Sequence, residues 1–218
     1  TEEQTVYGEV VLAAIGRAPN TDADWFRSCG LRIDGHGYVD TDEFGRTNLD
    51  GVWALGDITA GHALAHRAFQ QGITIAEKIA GLNPRPVADD TVPQVVFSFP
   101  EAASVGLTMD QAKTREDVIE PKETAYPMLS NARMLMSGAG GSMTIVSGAY
   151  ADDPDIQVVL GVHIVSPIAS DLIAEAEQLV GNRVPLAEAA RLIHPHPTFS
   201  ETFGEALLKA DGRPLHTR

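Results

Sequence analysis

The chain has 218 residues, 44% of them hydrophobic, with a formal net charge of −14 and a single cysteine. That length admits one or two domains with real cores, while the charge argues against a nucleic-acid partner and fits an ordinary acidic surface, or one that attracts a basic segment. The lone Cys29 excludes a disulfide framework or a Cys-x-x-Cys pair within the chain; no apolar run approaches membrane-spanning length and no signal peptide opens the sequence, so the cytoplasm is the expected location.

Residues 9–15, Glu-Val-Val-Leu-Ala-Ala-Ile, read as a buried strand. A lone core strand at the start suggests a chain entered in the middle. Gly16-Arg17-Ala18-Pro19-Asn20 follows as a turn rich in breakers. Cys29, after Trp25 and Phe26, reads as a plain packed thiol. Residues 21–50 carry many Gly and Asp. A second buried strand, Val52-Trp53-Ala54-Leu55, stops at Gly56-Asp57. A helix is expected over about 63–80, with Gly81 as its stop. Asn83-Pro84-Arg85-Pro86 reads as a linker.

Beyond Pro93 the texture changes. Strands are expected over 95–99 and 102–106. Thr108-Met-Asp-Gln111 is a capping-box start for a short helix. Residues 143–150 and 157–165 read as paired strands joined by a turn at Asp152-Asp153-Pro154-Asp155. Those acids lack the bend Gly and the closing Glu of a calcium loop. Ser166-Pro167 reads as the cap and first position of a helix running to about Val180, stopped by Gly181. Ser137-Gly-Ala-Gly-Gly-Ser142 has no helix after it, so it reads as a loop and not a phosphate cradle. A short helix over 186–193 and a last helix over 199–210 close the chain. The order, mixed α/β followed by an antiparallel sheet with helices, places a boundary near 84–93.

Two segments carry chemistry. His194-Pro195-His196-Pro197-Thr198-Phe199-Ser200-Glu201 sets an imidazole and a carboxylate five positions apart across a proline-stiffened bend. A Glu held against His196 would orient the ring and raise its basicity, as in a general-base dyad. The same letters allow blander readings. Thr198-x-x-Glu201 is also a capping box, and His194, His196 and Glu201 could in principle bind a metal in extended chain. In the second segment a strand ends in Gly56-Asp57. Gly permits close ligand approach to the backbone, Asp can accept from sugar hydroxyls, and the N–H groups opening the next helix can hold an electron-rich ring edge. A simple strand–turn–helix with Asp as turn residue is the alternative.

The eight-residue string resembles the His-x-His-Pro-Thr-x-x-Glu signature of the flavin-dependent pyridine nucleotide–disulfide oxidoreductases, their dihydrolipoamide dehydrogenase branch above all. Thr47-Asn48-Leu49-Asp50-Gly51-Val52-Trp53-Ala54-Leu55-Gly56-Asp57 resembles the second flavin-binding motif of the same family. Ala63-Leu64-Ala65-His66 resembles the start of the helix facing the flavin pyrimidine edge, and its Leu-Ala-His is nearer to dihydrolipoamide dehydrogenases than to glutathione reductases. Gly16-Arg17-Ala18-Pro19-Asn20 looks like the family's Gly-Arg-x-Pro-Asn. Residues 93–97 and 101–108 resemble the opening of its interface domain.

The resemblance implies the following. The fold is α/β to α+β, with 1–18 as the terminal strand of an NAD-binding domain, 19–90 as the remainder of a central FAD-binding domain, and 91–218 as a mixed α+β interface domain with an antiparallel sheet. His196 and Glu201 are the acid/base pair. Gly16 lies beside the nicotinamide nucleotide, while Gly56, Asp57, Ala63, Leu64, Ala65 and His66 bind FAD. A cis bond before Pro197 turns His196 toward a partner subunit. The substrate is a lipoyl-type dithiol, with a 2-oxo acid dehydrogenase complex as a partner, and the enzyme is a homodimer through its interface domain. No Gly-x-Gly-x-x-Gly and no redox Cys pair occur in the sequence. The chain is therefore expected to be the C-terminal half of such an enzyme, inactive alone. An isolated dimerisation module and a glutathione- or mycothione-type reductase half remain alternatives, and NAD against NADP is not readable.

Overall fold

The computed structural model describes residues 4–217. The chain divides into two compact units, Thr1–Pro86 and Val87–Arg218.

In the first unit, helix α1 (Asp24–Ser28) buries Phe26 and leaves Cys29 at its C-terminal cap. Cys29 is exposed rather than packed, because Phe26 takes the inward face. Phe26, Val39 and Ala54 form a small core with Leu31, Ile33 and Ile58 around them. Isolated bridges, Ile33 with Val39, Val39 with Thr59 and Arg46 with Trp53, stitch it together. Helix α2 (Ala65–Ile79) turns Thr74 and Ile75 inward. It ends as the sequence signals: Gly81 has φ 79°, its N–H reaches Lys78 O, and Leu82 N–H reaches Glu77 O at 2.9 Å. This pair of bonds satisfies the last carbonyls in a Schellman motif.

Two expected strands are absent here. Residues 9–15 form no regular structure and make no ladder, and their side chains are exposed, Ile15 at 98%. A strand needs a neighbour for its N–H and C=O groups, and no described strand lies beside this one. Residues 52–55 likewise contribute only the single bridge at Trp53 before a 3-10 turn, Gly56–Ile58.

The second unit is built on one antiparallel sheet in the order β1-β2-β5-β4-β3. Its strands are β1 (Gln94–Val96), β2 (Glu101–Gly106), β3 (Val118–Pro127), β4 (Ser142–Tyr150) and β5 (Asp153–Ser166). Helix α3 (Met109–Thr114) opens with the expected capping box: Thr108 Oγ1 accepts from Gln111 N–H at 3.2 Å, and Gln111 Oε1 from Thr108 N–H at 2.9 Å. Short α4 (Ala132–Ser137) precedes β4. Helix α5 (Ala169–Gly181) lies against β2 and β5, and α7 (Glu201–Ala210) against β3 and β4, with α6 (Leu186–Ala189) between them in sequence. The core beneath them holds Tyr126, Met143, Ile145, Val162, Ile164, Phe203 and Leu207, all essentially buried. Leu107, Ala112, Val146 and Leu160 form a second cluster. Burying each such side chain contributes about 1.5–3 kcal/mol.

The start of α5 differs from expectation. Ser166 is the last residue of β5 and Ile168 is the N-cap, which offers no side-chain cap. Glu101 of β2 supplies it instead, accepting from Ser170 N–H at 2.9 Å. A carboxylate suits the positive end of the helix dipole. The short helix expected over 186–193 stops at Ala189, and the last helix begins at Glu201 rather than residue 199.

Candidate functional site: a histidine–glutamate pair on a clamped bend

Between α6 and α7 the chain runs without regular structure through residues 190–200. Several contacts fix this bend. Thr198 Oγ1 donates to Pro195 O at 2.6 Å. Asn131, whose Oδ1 caps α4 at Met134 N–H, donates its amide to Thr198 O at 3.2 Å. The His196–Pro197 peptide is cis, as expected.

His196 and Glu201 meet as the motif predicts. Nδ1 of His196 lies 2.8 Å from Glu201 Oε1, and Oε2 of the same carboxylate accepts from Thr198 N–H at 2.8 Å. Only half of a capping box forms: Thr198 Oγ1 turns away to Pro195, and Ser200 at the N-cap caps no helix N–H, its Oγ lying 2.9 Å from Thr198 Oγ1 instead. The imidazole is 71% exposed while Glu201 is 22% exposed. Burial pushes the Glu201 carboxyl up. The Thr198 N–H bond, the His196 bond and the charges of both histidines outweigh it, holding the group below the usual carboxylate range. An ionised carboxylate only accepts, so Nδ1 carries the hydrogen in the neutral ring and Nε2 is left with the lone pair. The result is an exposed imidazole, fixed in tautomer and orientation, able to take or return a proton at Nε2.

His194 sits differently. Its side chain is 10% exposed, and Nε2 lies 2.8 Å from Glu175 Oε1 on α5. That carboxylate raises the His194 pKa against the opposing effect of burial. The two histidines thus face separate carboxylates. Among the described residues no group of three or more His, Cys, Asp or Glu side chains is placed to hold a metal ion. Beneath α7, burial together with the charges of Glu205 and Glu201 pushes the Tyr126 phenol up to about 12, which keeps it protonated near neutrality.

In the first unit, Gly56 is buried with φ 73°, and its N–H donates to Gln71 Oε1 of α2 at 2.8 Å. Asp57 is about half exposed and pairs with Arg17 at 3.7 Å, so the Gly-Arg-x-Pro-Asn turn and the Gly-Asp turn are neighbours. Gly16 has φ 124°, with open space where a Cβ would stand. Ala63 and Leu64 lead into α2, whose first residues are Ala65 and His66. Leu64 is its N-cap, and its own side chain makes no cap bond. The N-terminus of this 15-residue helix offers N–H donors of the kind that hold an electron-rich ring edge, and the half-exposed Asp57 carboxylate can accept from a polyol. Glu175, Asn131 and Gln71 were not indicated by any motif, since each acts on a partner distant in sequence.

A turn-held aspartate before a helix is thus followed by an antiparallel α+β unit that presents a His–Glu pair. Residues 92–207 match the model of the pyridine nucleotide-disulphide oxidoreductase dimerisation domain, and residues 1–72 match that of pyridine nucleotide-disulphide oxidoreductase. The chain belongs to the pyridine nucleotide-disulphide oxidoreductase family. It is 37% identical to a dihydrolipoyl dehydrogenase of Cupriavidus necator over 98% of its own length and 44% of that protein's. It is 36% identical to one of Bacillus subtilis over 99% and 44%. Among solved structures, LpdA of Mycobacterium tuberculosis superposes with a TM-score of 0.81 at 29% identity, covering 90% of this chain and 42% of that one. The chain therefore spans less than half the length of these relatives. No described helix is long and apolar enough to cross a membrane.

Proposed function

We propose that this chain provides the acid/base pair and part of the flavin site of a dihydrolipoyl dehydrogenase-like enzyme that oxidises a lipoyl dithiol. The observation that carries the reading is the 2.8 Å contact of His196 Nδ1 with Glu201 Oε1 on an exposed ring. The names of the relatives support the substrate class. A thiol becomes a nucleophile on losing its proton. Nε2 of His196 takes that proton from the dithiol, while Glu201, ionised and held by Thr198, stabilises the resulting imidazolium. The thiolate then attacks a redox disulfide supplied outside this sequence, whose single cysteine, Cys29, cannot form one; that S–S bond breaks with release of a cysteine thiolate, and the substrate's second thiol resolves the mixed disulfide to leave lipoyl disulfide and a reduced cysteine pair.

FAD, when bound, would supply the acceptor for the electron pair of that reduced cysteine pair, with NAD as the final recipient. Asp57 would hold the polyol of the flavin and the N-terminus of α2, from Ala63 to His66, its ring edge. Gly16 would lie beside the nicotinamide nucleotide. Residues 1–18, 19–90 and 91–218 are then the end of an NAD domain, the remainder of a central domain and an interface domain. The dimerisation-domain match supports a homodimer in which His196 serves the partner subunit's disulfide. A 2-oxo acid dehydrogenase complex is the natural source of the dithiol, and the cytoplasm the place.

The test is His196→Gln in the intact flavoenzyme. Dihydrolipoamide oxidation should slow by about 10²–10⁴-fold, the usual worth of a positioned acid/base, with FAD still bound by its visible spectrum. Near-parental turnover sinks the assignment. A second reading, a dimerisation module without catalysis, is favoured by the self-contained core of the second unit. A full-length product without flavin bands would select it.

A further inference from the structure

We infer that His194 is the positioning residue for His196: wedged between Glu175 of α5 and Gly204 of α7, it fixes the bend that presents the catalytic ring. The inference rests on the acid/base reading of His196 and goes beyond it. Three observations meet at this side chain. It is nearly buried although it stands two residues from an exposed imidazole. Its Nε2 makes a 2.8 Å bond to Glu175, nineteen residues earlier and on the helix that lines β2 and β5. Its Nδ1 edge presses on α7, where a Cβ added at Gly204 would stand 2.5 Å from Nδ1, 3.0 Å from Cε1 and 3.3 Å from Cγ.

The consequence is mechanical. Residues 190–200 have no ladder or helix of their own, so their position comes from anchors. On one side of His196 the anchor is Thr198, bonded to Glu201 and Asn131. On the other side it is His194. The absence of a side chain at position 204 lets the ring approach the helix that carries Glu201, which brings both ends of the His196–Glu201 contact onto one element. The titratable groups facing His194 are Glu175, which bonds it, and Glu201, whose charge also favours its protonated form. His194 touches no reacting atom and acts only by placing its neighbour.

The test uses four variants of the intact enzyme beside His196→Gln. His194→Ala removes the anchor, and Gly204→Ala takes the ring's space while leaving every titratable group in place. Each should lower kcat by about tenfold or more, as misplacement of a catalytic group by a fraction of an ångström does, with KM for dihydrolipoamide little changed. His194→Gln, which can again donate to Glu175, should recover most of that loss. If His194→Ala does not fold, Glu175→Ala, which removes the acceptor at a partly exposed position, carries the same test. Parental kcat in these variants, with His196→Gln slow, overturns the positioning role alone. If His196→Gln is itself fast, the functional reading fails. The positioning role is then judged on the 218-residue chain by the His196 Nδ1–H proton resonance, which should be lost in His194→Ala and retained in His194→Gln. An unchanged resonance in His194→Ala overturns it.

Discussion

Glu201 divides its carboxylate between two jobs, one oxygen on His196 Nδ1 and the other on the backbone N–H of Thr198, each at 2.8 Å. The residue that orients the base therefore also fixes the bend from which the base projects. Charge and geometry separate in the substitution Glu201→Gln. The amide oxygen can still accept one of the two bonds, but the imidazolium loses its counter-charge. In the intact enzyme kcat for dithiol oxidation should fall by roughly tenfold, less than the 10²–10⁴ expected for the base itself. A steady-state comparison with His196→Gln checks the order, and a larger loss in Glu201→Gln than in His196→Gln contradicts the secondary role of the carboxylate.

A second prediction concerns pH and stability. His194 has a folded pKa above its ordinary 6.5, owing to Glu175. Its contribution is thus fully present below about 6.5 and lost as pH rises through the higher folded value. Glu201 has a folded pKa below 4.5, so its contribution is present above 4.5 and lost as pH falls through the lower folded value. Thermal melting of the chain across pH should show both limbs. Glu175→Gln should flatten the alkaline one and leave the acid one in place. An alkaline limb unchanged in that variant removes the His194–Glu175 bond as its cause.

What was legible in the sequence follows from range. His196 and Glu201 lie five residues apart, and the Thr108–Gln111 box three, so local pattern suffices. Glu175 and Gly204 gave no signal, because their roles depend on α5 and α7 converging on one bend. The cap of α5 was misplaced at Ser166 for the same reason: the acceptor is Glu101, on another strand. Strand β3 was missed altogether. It carries Pro121, Pro127 and several charges, which suit a sheet edge and read as loop. The register shifts between Ile119 and Lys122, where Glu120 takes φ 45°. Residues 9–15 show the converse: their apolar run joins no ladder among the described residues, since a strand needs a partner for its N–H and C=O groups.

Gly45 offers a stability test of the first unit. Its φ is 84°, and an added Cβ would lie 2.8 Å from both Ala54 O and Ile75 Cδ1. Gly45→Ala combines backbone strain with a clash between the bridged loop and α2, so it should destabilise this unit by about 1–3 kcal/mol. Protease susceptibility of residues 20–80 is the direct readout. Equal resistance in variant and parent would mean that the loop and α2 do not pack as closely as described.

Gln71 makes the last prediction, which joins folding to cofactor binding. Gly56 is buried and its N–H has Gln71 Oε1 as acceptor at 2.8 Å. Replacing Gln71 with Leu keeps the bulk and removes the acceptor, leaving a buried N–H that costs about 1–3 kcal/mol. The Gly56 turn would relax, and Asp57, the next residue, would move with it. If Asp57 holds the flavin polyol, the intact enzyme carrying Gln71→Leu should release FAD more readily, while Gln71→Glu, which keeps an acceptor oxygen, should retain it. Fluorescence of released flavin measures this directly. Weaker retention in Gln71→Leu but not in Gln71→Glu ties the bond to the cofactor site. A fall in thermal stability with no change in flavin retention would confine Gln71 to packing and detach the Gly56–Asp57 turn from the flavin.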